Sequence, residues 1–116
     1  MEKSLNKVEL KGNVGHDPRV TITENGGKVI RFSLATTEIV KYRNGELKEE
    51  TSWHNVSAWS IKGMPDLDKI KKGMFVEIIG KIRYSKYKGV DNVERNIVEI
   101  VAQKIIIPLS ETISKQ

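Results

Sequence analysis

Apolar and polar residues alternate along most of the chain with the period of two that a half-buried β-strand requires. Val8, Leu10 and Val14 alternate with Lys7, Glu9, Lys11 and Asn13 and predict a first strand, with Gly12 marking a bulge or bend inside it. Gly15-His16-Asp17-Pro18 reads as a turn and Arg19 to Thr23 as a short β segment. Asn25-Gly26-Gly27 then supplies the positive φ angles of a tight hairpin reversal. Ile30, Phe32 and Leu34, interleaved with Arg31, Ser33 and Ala35, give a second long strand. It leaves the core through Lys41 to Lys48 as an exposed hairpin loop. A third strand runs from about Thr51 to Ser60.

The period changes once. Met64 to Gly73 predicts a short helix, with Pro65 in its first turn, Asp66 and Asp68 at the positive end of the dipole, Lys69, Lys71 and Lys72 at the negative end, and Gly73 as the cap. Val76, Ile78 and Ile82 open a fourth strand that continues toward Tyr84 and Tyr87. Gly89 to Asn92 turns the chain into a fifth strand from about Glu94 to Ile107, which Pro108 stops, and Leu109 to Gln116 reads as a polar tail. Three strands, a short helix and two strands is the order of an all-β, five-stranded Greek-key barrel of the OB type. One domain over 1–108 with a tail at 109–116 is the expected organisation for a chain of 116 residues.

Within the third strand, Trp53, Asn55, Ser57 and Trp59 take one parity and Val56 and Ala58 the other. Residues two apart share a face, so the small apolar pair meets the core and both indoles stand on the wet side. Large exposed rings among basic groups are what unpaired bases stack on. The alternative is a bulge that returns one ring to the core, or a subunit interface that covers it. Tyr42, between Lys41 and Arg43 in the hairpin loop, pairs an aromatic face with two cations. Arg83 and Tyr87 have the parity opposite to Ile82 and face outward, whereas Tyr84 has the parity of the core.

Charge adds to this picture. Lys and Arg number 20 against 15 Asp and Glu, for a formal net charge of +5, which suits an anionic partner. Arg31, Lys62, Arg83 and Lys86 are the candidates to line a phosphate path, with Lys72 and Lys88 near its rims, although a solvated surface charge is the default reading for any single lysine. Cysteine is absent, which excludes disulfides, thiol catalysis and cysteine-bound zinc. The two histidines, His16 and His54, have no metal-ligand spacing, and no paired carboxylates suggest acid–base chemistry. No enzyme, metal or cofactor is expected. His54 has inward parity, so a hydrogen-bonded position in the core or at an interface suits it, and Asp17 before Pro18 is a turn residue. No stretch reaches the roughly 20 apolar residues of a membrane span and the first residues lack a signal peptide's apolar run, so a cytoplasmic location is expected.

Several segments together resemble the bacterial single-stranded DNA-binding proteins of the SSB family. They are Asn6-Lys7-Val8, Gly12-Asn13-Val14-Gly15-His16-Asp17-Pro18, Asn25-Gly26-Gly27, Phe32-Ser33-Leu34-Ala35-Thr36, Gly45-Glu46-Leu47-Lys48-Glu49, Thr51-Ser52-Trp53-His54, Lys72-Gly73 and Gly80-Lys81-Ile82-Arg83. The resemblance covers about Asn6 to Ile107. It implies an OB fold, a homotetramer built as a dimer of dimers, and single strands wrapped without sequence preference in replication, recombination or repair. It puts stacking aromatics at Trp53, Trp59 and Tyr87 and a subunit-interface histidine at His54. Another stacking tryptophan of the family falls at Val40, so either Tyr42 replaces it from nearby or that platform is missing.

Family members also carry a flexible linker and an acidic tip ending in an aromatic residue, which recruits replication and repair enzymes. This chain finishes Ser110-Glu111-Thr112-Ile113-Ser114-Lys115-Gln116. Recruitment by that route is therefore not expected, whether the chain is truncated or a short variant of the sort a phage or mobile element carries. Two other readings use the same barrel: an interaction protein of a replication assembly with the tryptophans in its interface, and a single-stranded RNA binder, since stacking and phosphate contacts tolerate either sugar.

Overall fold

The computed structural model describes residues 2–108, and the polar tail expected at 109–116 lies outside them. The alternating segments form six strands: β1 (Val8–Val14), β2 (Arg19–Ile22), β3 (Lys28–Lys41), β4 (Leu47–Trp59), β5 (Phe75–Lys88) and β6 (Glu94–Ile106). β1 pairs antiparallel with β5 from Val8 to Asn13, then with β3 at Asn13 and Val14. That second pairing closes the order β1-β5-β6-β4-β3 into a barrel, with the short β2 lying along the first part of β3. β4 and β6 are parallel and pair over Val56–Ala58 and Ile100–Ala102.

Alternation decides which side chains fill the barrel. Ile30, Leu34, Val56, Ile78, Ile100 and Ala102 all point inward and are buried. Each fully buried aliphatic side chain contributes about 1.5–3 kcal/mol relative to exposure, so this cluster is the main source of stability. Gly12 carries no register shift. A side chain there would run into the carbonyl of Ala35, so the glycine lets β1 approach β3 closely enough to close the barrel. The register irregularity falls instead between Ile79 and Gly80, where a side chain would meet the Val101 carbonyl.

The helix expected over Met64 to Gly73 is reduced to one 3-10 turn, Leu67–Lys69. Asp66 caps it by accepting from the Asp68 amide at 3.0 Å, and Ile70 is already extended. Three residues per turn put Leu67 and Ile70 on one side, and both are buried against the barrel. So short a segment cannot offset the cost of nucleating an α-helix, whereas plugging the barrel with two aliphatic side chains favours the tighter turn. Asp17 accepts from the Lys72 amide at 2.9 Å and ties this connection to the turn after β1.

Beyond the barrel, β3 with β4 and β5 with β6 continue as two long antiparallel arms. The β3–β4 ladder is unbroken from Val29 opposite Trp59 to Lys41 opposite Leu47, so the expected loop over 41–48 is strand to within a few residues of its tip. The reversal is made by Tyr42 to Glu46, with Gly45 at positive φ. The second arm reverses at Gly89 to Val93, with Asn92 at positive φ.

Candidate nucleic-acid interface

Cross-strand neighbours point to the same side of a sheet, so the register lists the outer face directly. Arg31 lies opposite Ser57, Ser33 opposite Asn55, and Ala35 opposite Trp53. On the far side of the parallel contact, Arg83 lies opposite Glu99, Ser85 opposite Ile97 and Tyr87 opposite Arg95. Arg31, Arg83, Trp53 and Trp59 thus stand on one outer surface, and Tyr87 is on the same side of its strand as Arg83. At the two arginines is an open groove of about 550 Å³, lined in part by His16, Arg19, Arg31, Asn55, Arg83 and Glu99.

Trp53 is 63% exposed. It sits where β4 and β6 splay apart, in a cleft of about 320 Å³ shared with Asn96 and Val98. One edge of its ring lies over Gly15, where an added Cβ would come within 2.5 Å of Trp53 Cζ3. Trp59 is 36% exposed and lies opposite the buried Val29 in the β3–β4 ladder. Six residues separate the two rings, roughly 20 Å of strand, too far for adjacent bases of one chain to stack on both.

The remaining candidates occupy more varied settings. Tyr87 is 47% exposed on the second arm. Its neighbour Tyr84, which parity assigns to the core, is 74% exposed, because the arm has no buried side for it to face. Tyr42 lies at the tip of the first arm, again roughly 20 Å along the strand from Trp53. The cation against its ring is Lys48, 5.1 Å from the centroid and across the hairpin, in place of its chain neighbours Lys41 and Arg43. Its hydroxyl donates to Glu50 at 3.0 Å, and that carboxylate raises the phenol's pKa. Lys62 follows Trp59 in an exposed turn. Lys86 is within 3.8 Å of Glu94. His54 is partly buried with its Nε2 2.8 Å from Thr36 Oγ1, the hydrogen-bonded setting its parity indicates.

Arg31 and Arg83 are not free cations. Arg83 Nη2 donates to Glu99 Oε1 at 2.5 Å, and Arg31 Nε lies 3.8 Å from Glu99 Oε2. The Arg31–Glu99 pair links β3 to β6 across β4, whose Ser57 lies opposite Arg31. Ser57 is fully buried despite its outward parity, and among the described residues its hydroxyl has no hydrogen-bond partner. His16, Arg19, Asn55 and Glu99 are not among the sequence candidates. Only the register of three strands and the turn after β1 bring them to the groove; His16 lies within a motif of the family resemblance and Asn55 on the outward parity of β4, but nothing in the sequence joins them to Arg19 and Glu99.

The family model for the single-strand binding protein family matches residues 5–107. The chain belongs to the single-strand binding protein family. Relatives include the single-stranded DNA-binding protein of Xylella fastidiosa, 39% identical over 90% of this chain and 64% of its own length. That of Neisseria meningitidis serogroup A is 41% identical over 88% and 59%. The mitochondrial single-stranded DNA-binding protein of Pongo abelii is 36% identical over 100% and 83%. This family member therefore spans about three fifths of the length of the bacterial relatives it matches. Among solved structures, a Plasmodium falciparum SSB in complex with ssDNA superposes with a TM-score of 0.79 at 34% identity, covering 93% of this chain and 98% of that one. A deletion mutant of the Thermus aquaticus single-stranded DNA-binding protein, 21% identical, shares the fold with a TM-score of 0.73 over 87% of this chain and 49% of its own.

Proposed function

We propose that this protein binds single-stranded DNA without regard to sequence, as a non-enzymatic coat that keeps the strand extended during replication, recombination and repair. The observation that carries the reading is the pair of outward indoles, Trp53 and Trp59, on the same outer surface as a groove lined by arginines. Membership of the family, and a structural relative solved with ssDNA, support the same ligand. In this reading Trp53, Trp59, Tyr87 and Tyr42 stack bases, each platform contributing about 1–3 kcal/mol per base. Arg31, Lys62, Arg83 and Lys86 line the phosphate path and make the affinity fall as salt rises. Neither contribution reads a base edge, which is why the binding is sequence-tolerant.

We also infer a homotetramer acting in the cytoplasm at the nucleoid, with His54 near a subunit contact. Exposed apolar side chains such as Leu5, Ile39, Leu47 and Val98 support assembly with further copies. Solution mass with and without DNA tests the assembly.

Titration with an unstructured oligothymidine tests the ligand. Tryptophan emission is expected to be strongly quenched, and less so at high salt, with a matched RNA oligomer as competitor to measure the preference for sugar. Unchanged emission together with no gel shift would overturn the reading.

A further inference from the structure

Two arginines and one glutamate share the floor of the groove, and their arrangement bears on how tightly a strand is held. Glu99 is the most enclosed charge of the three: its side chain is 12% exposed, whereas those of Arg31 and Arg83 are about half exposed toward the groove. Each carboxylate oxygen faces a different guanidinium, Oε1 toward Arg83 and Oε2 toward Arg31. A phosphate offers the same thing, two oxygens set between two guanidinium groups.

We propose that Glu99 is a built-in counter-anion that occupies, between Arg31 and Arg83, the place a DNA phosphate takes, and so sets the strength and salt response of binding. The proposal rests on the single-strand-binding reading above. A strand reaching these arginines exchanges one anion for another, so part of what each phosphate contact gains is lost with the contact to Glu99. Two arginines opposed by one carboxylate also leave a smaller net charge on the groove floor than a count of cations suggests. Both effects make the grip weaker and less salt-dependent than bare arginines would, which keeps a coating protein displaceable. Glu99 acts here through the arginines; it is a positioning residue with no contact to bases.

The test is Glu99→Gln, which keeps the shape and an acceptor for Arg83 but removes the charge. With oligothymidine at low salt the variant is expected to bind several-fold more tightly than the wild type. Its advantage should shrink by roughly 2.5-fold for each fourfold rise in salt, the slope of about one additional phosphate neutralised on a single strand. A second measurement makes Arg31→Gln both in the wild type and in the Glu99→Gln variant. Its cost should be larger in the variant, because only the wild-type arginine gives up an internal partner on binding. Glu99→Thr, a neutral strand former, carries the same expectations if the glutamine variant does not fold. Equal or weaker binding with salt plots parallel to the wild type, or equal costs of Arg31→Gln in both backgrounds, would overturn the proposal. A wild type that fails to bind oligothymidine at all would instead overturn the single-strand-binding reading on which it rests.

Discussion

The barrel and the two arms are made of the same strands, yet they obey different rules. Within the barrel, β3 from Val29 to Leu34 and β5 from Val76 to Ile82 have one side facing a closed core, and the neighbours of each inward residue are fixed by that core. Past Ala35 on β3 and past Arg83 on β5 no side chain is buried, and all but Thr36 and Val40 are exposed. The arms are therefore held by ladder hydrogen bonds, turn chemistry and surface ion pairs, the barrel by burial. The same residue type has a different worth in each. Leucine at 34 is a core element, while leucine at 47 is open to solvent.

The largest effect should come from breaking that contrast at its strongest point. Leu34→Ala removes a fully buried side chain and leaves a cavity, which costs about 3–5 kcal/mol. Leu47→Ala at the arm tip should cost less than about 0.5 kcal/mol, since that side chain is largely exposed in one chain. Denaturant unfolding of the two variants measures the difference. A comparable loss at Leu47 would mean that the arm is covered by another copy in solution, and a concentration dependence of its midpoint would separate that from packing within the chain.

How much of the molecule is legible in the sequence follows the same division. Parity names the inward side correctly for Ile30, Phe32, Leu34, Val56 and Ala58, because a core punishes a slip of one residue by exposing every apolar side chain of the strand. It fails at Tyr84, where the strand continues but the core does not, so parity no longer names an inside. It fails at Ser57 for the opposite reason. That residue is on the outer side as expected, yet it is fully buried in the middle of the sheet, opposite Arg31, which reaches across β4 toward Glu99. The short helix is misleading in the sequence because its capping signals are shared by any first turn, and only the depth of the barrel decides between α and 3-10. Of the candidate site, Trp53, Trp59, Arg31 and Arg83 are visible as outward residues on single strands. Glu99 is not, since its importance lies in being set between two arginines far apart in the chain.

At the junction of barrel and arm, Trp53 offers an intermediate effect that separates binding from folding. Trp53→Ala should weaken oligothymidine binding by about 1–3 kcal/mol while barely changing stability, because most of the ring is in water. Trp59→Ala should lose both, since only 36% of that residue is exposed, against 63% of Trp53. Gly15→Ala sharpens the comparison without touching the indole. The new methyl occupies space now held by the edge of Trp53, so the ring must shift. Binding and tryptophan quenching are expected to fall in that variant, by less than in Trp53→Ala. Undiminished binding in Gly15→Ala would mean that the ring's present seat is not the one used to stack a base.

The smallest effect concerns what holds an arm together. At the tip of the β5–β6 arm, Asp91 pairs with Arg95 at 2.7 Å and accepts from the Val93 amide at 3.1 Å. The Arg95 guanidinium first, and then the Val93 N–H, hold its carboxyl below the ordinary aspartate value. A group whose folded pKa is lowered contributes stability that is present above its unfolded pKa and is lost as pH falls through the folded one. Because the site is exposed and screened, the loss is small and local. Acidification through the carboxylate range should therefore lower the protection of amides around residues 89–95, measured against the intrinsic exchange rate at each pH, before it lowers that of Val56 or Ile78 in the barrel, and Asp91→Asn should lose that acid-dependent part. If protection in the arm and the barrel fell together, the arm would not be a separately held element. The difference in what stabilises the two regions would then have no counterpart in how they open.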